Sequence, residues 1–564
     1  MPAKRKSKVR GSRLSLWAVV AVVLVVLTTW LCVVAVGAVR RSGLGQEPVL
    51  LEVAYSPEKE TLFTALLQGF RASRPRLRDG RRIEVRATRA EPDVMIEQAL
   101  SGRYQVISPD SSLWLTQLDL ERQRREGDEA TSLGQASSMV GEVARYAISP
   151  VVVAMWEDAA RSIGYPERSL GWSDILAKAR SDPDFKWSHP STSSASGLLA
   201  TLAEFYAGAG KTRGLTRADA TDQRTLDYVS ALEKTVRHYG EGEWALIQQM
   251  LQSGRSYLDA VVVQEQLVIH FNRQGKGRLV AIYPAEGTLW EDHPLALIEQ
   301  PDLTPEARLA YAALRDYLLS PEAQKQILEA GYRPVDLNIA LDGPASPIKA
   351  ENGVDPLQPK TVLQMPGAGV LQVVRDVWWY TKRHTNVYLV ADSSGSMAGA
   401  KMTDAQQALR IFLGEIRGDL ERVGLIDFDS GASEVVPLAE LGTNRERLAQ
   451  GIDRLQVGGN TALHDAVNLA YMRLQALNDR ERINAIVVMT DGQENNSRVS
   501  LKDLLQRIET GNKQGVPVVI FCIAYGKDAD METLQAIARA SGGQARKGDL
   551  DTIRQLYKTL STYF

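Results

Sequence analysis

The chain has 564 residues, which at about 100 to 200 residues per domain predicts three or four compact units. Hydrophobic residues make up 44% and charged residues 24% of the chain, both close to the globular average, so wholesale disorder is excluded. The formal net charge of −2 provides no general attraction to nucleic acid. Two cysteines, Cys32 and Cys522, are too few for a disulfide scaffold or a cysteine-based zinc site.

The N-terminal residues predict a membrane anchor. Residues 14–39 carry no charge, and as a helix they would span about 39 Å, more than a hydrocarbon core of about 30 Å. The basic residues before this segment outnumber those that closely follow it, which predicts a cytoplasmic tail (1–13), one transmembrane helix (14–39) and an extracytoplasmic remainder at the cell membrane. The alternative is a cleaved signal peptide, whose apolar segment usually has about 7 to 15 residues. The scarcity of cysteine in an extracytoplasmic chain points to a bacterial source.

From residue 49 to about 335, short apolar runs alternate with amphipathic helical patterns. Residues 49–55 are predicted to form a buried strand, and Leu62, Leu66 and Phe70 follow at helical spacing. Further strands are predicted at 104–107, 151–156, 257–263 and 279–283. Strands separated by helices predict α/β units with open sheets.

The end of this segment carries a family resemblance. The stretch LLSPEAQ at 318–324, followed by GYRP at 331–334, resembles the late helix that crosses back over the hinge in molybdate-type and iron-type binding proteins. Residues 48–338 are therefore similar to a two-lobed bacterial extracellular solute-binding protein with a periplasmic-binding-protein-like (type II) fold. The resemblance implies that a small solute or anion binds between the lobes. The four prolines between 344 and 359 then predict a linker over 339–384.

Serine-rich turns supply the candidate ligand residues of this module. The stretch STSSASG at 191–197 precedes an apolar helical run, and hydroxyls with free N–H groups at a helix start can form an anion site. Two more serines occupy comparable strand-to-helix turns, so the candidates are Ser56, Ser111, Ser193, Ser194 and Ser196. The alternative is that these serines only cap helices.

Oxygen-bearing side chains recur at predicted strand ends and helix starts in the C-terminal third. Residues 386–391 form an apolar run typical of a strand buried on both faces, and it ends in the pattern D-x-S-x-S at Asp392, Ser394 and Ser396. Thr461 precedes an amphipathic helix, and Asp491 follows a second apolar strand at 486–489. Because open α/β sheets bind ligands outside the carboxyl ends of their strands, these side chains are expected to converge.

These five residues match, in order and separation, the metal-ion-dependent adhesion site of von Willebrand factor A domains. Residues 385–564 therefore resemble such a domain, with a Rossmann-like fold. The resemblance implies that Ser394 and Ser396 bind Mg²⁺ or Mn²⁺ directly, that Thr461 binds directly or through water, and that Asp392 and Asp491 act mainly through water. An acidic side chain of a protein partner could then complete the cation's shell. The six histidines show no metal-ligand spacing.

These features predict a membrane-anchored recognition protein and not an enzyme. Its A domain would bind a protein partner through a divalent cation, in the manner of cell adhesion, and solute capture by the two-lobed module is a candidate for controlling that binding. The main alternative is the substrate-binding receptor of an ABC-type importer with an accessory A domain. A third reading, a chelatase-like or ATPase-assisted subunit, conflicts with the predicted membrane segment because those partners are cytoplasmic. No nucleic-acid partner is expected.

Overall fold

The computed structural model describes residues 47–126, 138–240, 242–416, 418–526 and 528–548. The predicted tail and membrane helix at 1–39 lie outside the described residues. Within the described ranges, no helix combines the length and the apolar character needed to cross a membrane.

Strands and helices alternate along most of the described chain. The strands are β1 Val49–Tyr55, β2 Ile83–Arg89, β3 Val106–Ser108, β4 Val140–Arg145, β5 Ala147–Trp156, β6 Trp187–Pro190, β7 Tyr239–Gly240, β8 Ala260–Gln264, β9 Leu279–Ile282, β10 Trp290–Glu291, β11 Pro294–Ile298, β12 Arg333–Pro334, β13 Thr385–Asp392, β14 Arg422–Phe428, β15 Ala432–Glu440, β16 Ile483–Thr490, β17 Val518–Tyr525 and β18 Ala545–Gly548. The helices are α1 Glu60–Ala72, α2 Pro92–Leu100, α3 Leu113–Glu126, α4 Glu157–Ser162, α5 Trp172–Ser181, α6 Ala195–Ala209, α7 Arg217–Thr221, α8 Gln223–Glu233, α9 Glu243–Ser253, α10 Glu265–Arg273, α11 Pro305–Leu318, α12 Pro321–Glu329, α13 Ala368–Thr381, α14 Ala400–Glu415, α15 Leu441–Asp453, α16 Leu463–Leu477, α17 Leu501–Gln514 and α18 Met531–Ser541.

The chain divides into two units, and the first is built from separated stretches. It contains the described residues of Met1–Pro109, Leu118–Ala144 and Leu295–Ala323. Its five-stranded sheet has the order β2-β1-β3-β11-β4, with β1 parallel to both neighbours and β11 antiparallel to β3. Helix α1 buries its apolar stripe, as its helical spacing predicts.

The second unit holds two sheets and contains Asp110–Gln117, Arg145–Pro294 and the residues from Gln324 onward. Its first sheet has the order β10-β5-β8-β6-β7, and β9 and β12 also pair with β5. Strand β6 runs parallel to both β7 and β8, so the carboxyl ends of these three strands lie at one edge. Large side chains, among them Trp172, Trp187 and Phe205, fill the core beside this sheet.

The other sheet of the second unit has the order β15-β14-β13-β16-β17-β18, with β15 as an antiparallel edge strand. Every residue of β13, β16 and β17 is buried. Helices α14 and α15 cover one face through residues such as Phe412 and Leu448, and α16, α17 and α18 cover the other through residues such as Leu474 and Ile508. A parallel sheet buried on both faces explains why its central strands are continuous apolar runs. The α/β fold class predicted from the sequence is confirmed.

The segment at 339–384 was predicted to be a linker, but it is a folded part of the second unit. Ile348 and Val354 are buried in the core beside β8 and β9. Helix α13 packs against α6, α7 and α8 and buries Val374 and Trp378. The prolines all precede this helix, so they do not interrupt it, and its apolar residues recur at the i, i+4 spacing of a packed helix face.

Candidate metal centre

The candidate cation site lies at the carboxyl ends of β13 and β16. Strand β13 is parallel to β14 on one side and to β16 on the other. The order of strands along the chain therefore reverses at β13, and open α/β sheets bind ligands in the crevice outside such a point. Asp392 ends β13 and Asp491 directly follows β16, so the fold brings two carboxylates 99 positions apart to the same edge.

Backbone hydrogen bonds fix the loop after β13. The N–H of Ser394 donates to Asp392 Oδ1 over 2.8 Å, and a short 3₁₀ turn follows at Gly395–Met397. The N–H of Ser393 donates to the carbonyl of Phe428 over 2.9 Å, which ties the loop to β14. Its own carbonyl accepts from the N–H of Gly458 over 2.8 Å, which ties it to the loop before α16. The serine hydroxyls are therefore presented by a loop held on two sides.

The hydroxyl and carboxyl groups of the site are in mutual contact. Ser396 Oγ donates to Asp491 Oδ1 over 2.7 Å. Because a hydroxyl has one proton, Ser394 Oγ must be the donor in its 3.1 Å contact with Ser396 Oγ. A Cβ atom placed on Gly492 would lie 3.2 Å from Thr461 Oγ1 and 3.5 Å from Ser396 Oγ. Thr461 therefore borders the same small space, which Gly492 leaves open.

Neighbouring polar residues orient Asp392 and Thr461. Thr490 Oγ1 donates to Asp392 Oδ2, and the N–H of Thr461 donates to Asn495 Oδ1 over 2.9 Å. Asp392 is fully buried, and this burial raises the pKa of its carboxyl, while hydrogen bonds from Ser394 and Thr490 oppose the rise. A divalent cation would favour the charged carboxylate.

Lys401, the second residue of α14, supplies positive charge to the site. Its Nζ contacts Asp491 Oδ2; the Asp491 side chain is 0% exposed and that of Lys401 is 34% exposed. The ammonium thus neutralises a buried carboxylate and stands where a cation's charge is needed. Three hydroxyls and two carboxylates form the all-oxygen donor set that Mg²⁺ and Mn²⁺ prefer, and Ser396 is exposed. The residues present fit a hard divalent cation.

Comparison with known proteins assigns both modules. The family of bacterial extracellular solute-binding proteins matches residues 51–333, half of the chain. The chain belongs to this family. The von Willebrand factor type A domain matches residues 386–558, a range that contains all five candidate cation ligands. Domains of this type commonly bind a divalent cation at the metal-ion-dependent adhesion site.

Individual relatives cover only parts of the chain. Inter-alpha-trypsin inhibitor heavy chain H4 of Homo sapiens is 28% identical over 256 residues, which are 42% of this chain and 24% of that protein. The chain thus spans a quarter or less of the length of the curated relatives it matches. The sulfate-binding protein SubI from Mycobacterium tuberculosis H37Rv is 20% identical, with a TM-score of 0.37 over 52% of this chain and 90% of that one. A von Willebrand factor type A protein from Catenulispora acidiphila is 22% identical, with a TM-score of 0.29 over 32% of this chain and 43% of that one.

Three of the serines predicted to bind solute make local hydrogen bonds. Ser111 Oγ accepts from the first N–H of α3 over 3.3 Å, and Ser194 Oγ accepts from the N–H of Gly197 in α6 over 3.1 Å. Both therefore cap helices, as the alternative interpretation predicts. Ser56, in the first unit, donates to Glu58 Oε1 over 2.5 Å.

The other two candidate serines differ in their contacts. Ser193 Oγ lies 2.5 Å from Ser191 Oγ. Ser196 lies in the first turn of α6 and is 0% exposed, and its hydroxyl has no hydrogen-bond partner among the described residues. A buried hydroxyl without a hydrogen-bond partner raises the free energy of the folded chain. Among the candidate serines of 193–196, Ser196 is therefore the one that would gain most from a hydrogen bond to a ligand.

Sequence reasoning missed a buried polar network at the carboxyl end of β8. Gln264 donates to Glu243 through its N–H over 2.8 Å and through Nε2 over 2.5 Å. Its own Oε1 accepts from Gln266 Nε2 over 2.8 Å and lies 2.8 Å from His293 Nε2. All four residues are buried. The polar triplet at 264–266, which begins at the last residue of β8 and follows four apolar residues, was the sequence signal that could have revealed this network.

Proposed function

We propose that the chain is a membrane-anchored, extracytoplasmic recognition protein whose A domain binds a protein partner through Mg²⁺ or Mn²⁺. The observation that carries this proposal is the convergence of five oxygen-bearing side chains at the strand-order reversal of the A domain. Two of them are fully buried carboxylates, Asp392 and Asp491, and one, Ser396, is exposed. Such a site can bind a cation and still face a partner.

The residue types explain how the site would recognise an acidic partner. Ser394, Ser396 and Thr461 would hold the cation through neutral hydroxyls, and Asp392 and Asp491 would supply charge mainly through water. A bound Mg²⁺ or Mn²⁺ would supply electrophilic character, because few of its ligands would be charged. The partner's carboxylate is therefore the complementary group. This is a binding role, and we propose no catalytic step for it.

The test uses calorimetry to measure Mn²⁺ binding to the full chain in two serine variants from the same loop. Ser396→Ala removes a proposed ligand and should weaken Mn²⁺ affinity by about 10- to 100-fold. Ser393→Ala is the matched control, because Ser393 Oγ donates to the carbonyl of Phe428 over 3.2 Å and is not a proposed ligand. Equal affinities in the two variants would contradict the proposed site.

A second function, solute capture, is favoured by Ser196. Its buried hydroxyl without a partner among the described residues lies in the first turn of α6, where N–H groups attract anions. We propose an oxyanion as the ligand class, for which sulfate is the probe. In the presence of a chelator, sulfate affinity should fall in Ser196→Ala and stay unchanged in Asp392→Ala. No sulfate binding to the wild-type chain would refute this second function and the importer-receptor alternative for oxyanions.

Coupling between the two modules has a direct readout. If solute capture controls partner recognition by changing the cation site, the sulfate affinity of the full chain must differ between saturating Mg²⁺ and a chelator, because coupling between binding sites is reciprocal. Equal sulfate affinities under both conditions would show that the solute site and the cation site are independent.

A further inference from the structure

A cluster of titratable side chains lies inside the second unit, away from the A-domain site. His189 lies in β6, Glu204 in the middle of α6 and Glu233 at the end of α8. All three are 0% exposed. Each residue offers one potential ligand atom, a ring nitrogen or a carboxyl oxygen, and these three atoms lie within 4.8 Å of one another. Three separate elements therefore bring an imidazole and two carboxyl groups together in a protein core.

The hydrogen bonds of His189 determine which ring nitrogen carries the proton. His189 Nδ1 lies 2.7 Å from the carbonyl oxygen of Pro190. A carbonyl oxygen only accepts, so Nδ1 carries a proton. Nε2 lies 3.2 Å from Glu233 Oε2, and an ionised carboxylate is also only an acceptor. A neutral His189 ring would therefore place two lone pairs against each other, and a positive charge is needed there, either a second proton on the ring or a metal ion.

The donors around Glu233 are already used. Tyr239 Oη donates to Glu233 Oε2 over 2.7 Å, and Trp378 Nε1 donates to Glu233 Oε1 over 2.7 Å. An ionised Glu204 finds no hydrogen-bond donor for either carboxyl oxygen among the described residues, and its carboxyl group lies beside that of Glu233. Acceptors thus outnumber donors in a region closed to water when both carboxyl groups are ionised. Burying two carboxylates side by side without compensating charge is strongly unfavourable.

We infer that His189, Glu204 and Glu233 bind a divalent transition-metal ion, with Zn²⁺ as the reference ion. The ion would lie among His189 Nε2 and the two carboxylates and would supply the positive charge that they lack. The Nδ1 contact with a backbone carbonyl is the arrangement that orients metal-bound histidines. A mixed nitrogen and oxygen donor set suits Zn²⁺ better than Mg²⁺ or Ca²⁺, which prefer oxygen alone.

The site is joined to the start of the A domain. Trp378, which donates to Glu233, belongs to α13, and Tyr239 Oη accepts from the N–H of Arg383 over 2.8 Å. Arg383 Nη1 also donates to the carbonyl of Val236 over 2.7 Å. Strand β13, which ends at Asp392, begins two residues after Arg383. An ion bound to Glu233 would therefore stabilise the segment that leads into the A domain.

The first experiment measures metal content and Co²⁺ spectra of the full chain. The chain is purified, its metal content is measured, and it is then unfolded with a chelator and refolded with Co²⁺. We expect one tightly held transition-metal ion per chain and visible Co²⁺ absorption bands typical of nitrogen and oxygen ligands. Both should persist in Asp392→Ala, which alters only the A-domain site. Absence of bound metal and of Co²⁺ bands in the wild-type chain would overturn the proposal, whether or not any variant folds.

The Glu204→Gln variant distinguishes a bound metal ion from a proton that the two carboxyl groups share. Burial and the charge of Glu233 raise the pKa of Glu204 well above its usual range, so without an ion a proton on Glu204 would relieve the repulsion. Glutamine imitates that protonated form, so a proton-only cluster predicts unchanged stability and no metal effect. The metal site predicts that Glu204→Gln loses the bound ion, the Co²⁺ bands and the rise in unfolding temperature that Zn²⁺ gives to the wild-type chain. Retention of all three in Glu204→Gln would contradict the assignment.

Discussion

A buried ion pair joins Lys382, the residue directly after α13, to Glu421 in the A domain, and its removal should be strongly destabilising. Lys382 Nζ lies 3.0 Å from Glu421 Oε1, and both side chains are 0% exposed. Glu421 also accepts from the N–H of Thr385 over 2.5 Å and contacts His384 Nδ1 at 3.0 Å. We expect Glu421→Gln to lower the free energy of unfolding, because it leaves the Lys382 ammonium buried without its counter-charge.

The size of this loss of stability can be worked out from the shifted pKa of Glu421. Burial alone would raise the pKa of Glu421, but the Lys382 charge and the hydrogen bonds from His384 and Thr385 lower it from 4.5 to about 2. A shift of this size corresponds to about 3 kcal/mol in favour of the folded, ionised state. Burial lowers the pKa of Lys382, which reduces the net gain from the pair, so about 3 kcal/mol is an upper value for the pair.

Urea unfolding at several pH values provides the assay. The folded-state pKa of Glu421 lies below its unfolded value, so its contribution is present above about pH 4.5 and is lost as the pH falls towards 2. Glu421→Gln should lack this component at every pH. The control is Glu440→Gln, since Glu440 is 47% exposed and lies 3.9 Å from Arg422. That exposed pair should contribute less than about 0.5 kcal/mol.

Two results would contradict a stabilising Lys382–Glu421 pair. One is a Glu421→Gln chain as stable at pH 7 as Glu440→Gln. The other is a double variant, Lys382→Met with Glu421→Gln, that is no more stable than Glu421→Gln alone. Replacing both partners removes the unpaired charge, so the double variant should recover part of the loss.

Further predictions concern the A-domain site. Lys401→Met should raise the Mg²⁺ affinity about fivefold, equivalent to about 1 kcal/mol, because the Lys401 ammonium competes with the cation for Asp491. Lys401→Arg should leave the affinity near the wild-type value. Calorimetric titration measures both affinities, and an unchanged affinity in Lys401→Met would contradict the competition. Gly492→Ala should lower Mn²⁺ affinity by about tenfold, because its Cβ would lie 3.2 Å from Thr461 Oγ1 and 3.5 Å from Ser396 Oγ; wild-type affinity in this variant would show that the space beside Gly492 is not used.

The elements of the C-terminal sheet were the most predictable part of the chain. The apolar runs at 386–391 and 486–489 lie within β13 and β16, because strands buried on both faces leave a continuous apolar signal. The candidate cation site was predictable for the same reason, since its residues follow such strands or precede amphipathic helices. Strand β1 also matches its predicted range, 49–55.

Features that depend on distant residues were not predictable. Helix α13 was not predicted, because the prolines of 339–384 indicated a linker, although Val374 and Trp378 have the i, i+4 spacing of a packed helix face. Strands β4 and β11 complete the first sheet from stretches far along the chain, and their short sequences do not specify those partners. The residues His189, Glu204 and Glu233 are separated by 15 and 29 positions, so no local motif reveals that they meet.

Cation binding by the A domain is tested most directly by thermal unfolding of the full chain during titration with Mg²⁺, beside the Asp392→Ala variant. At about 100 times the Kd, a bound cation should stabilise the A domain by about 2.7 kcal/mol, which at about 2 to 4 °C per kcal/mol raises its unfolding temperature by about 5 to 10 °C. We expect this rise in the wild-type chain and its absence in Asp392→Ala. No rise at millimolar Mg²⁺, or an equal rise in both chains, would contradict a working cation site at the end of β13.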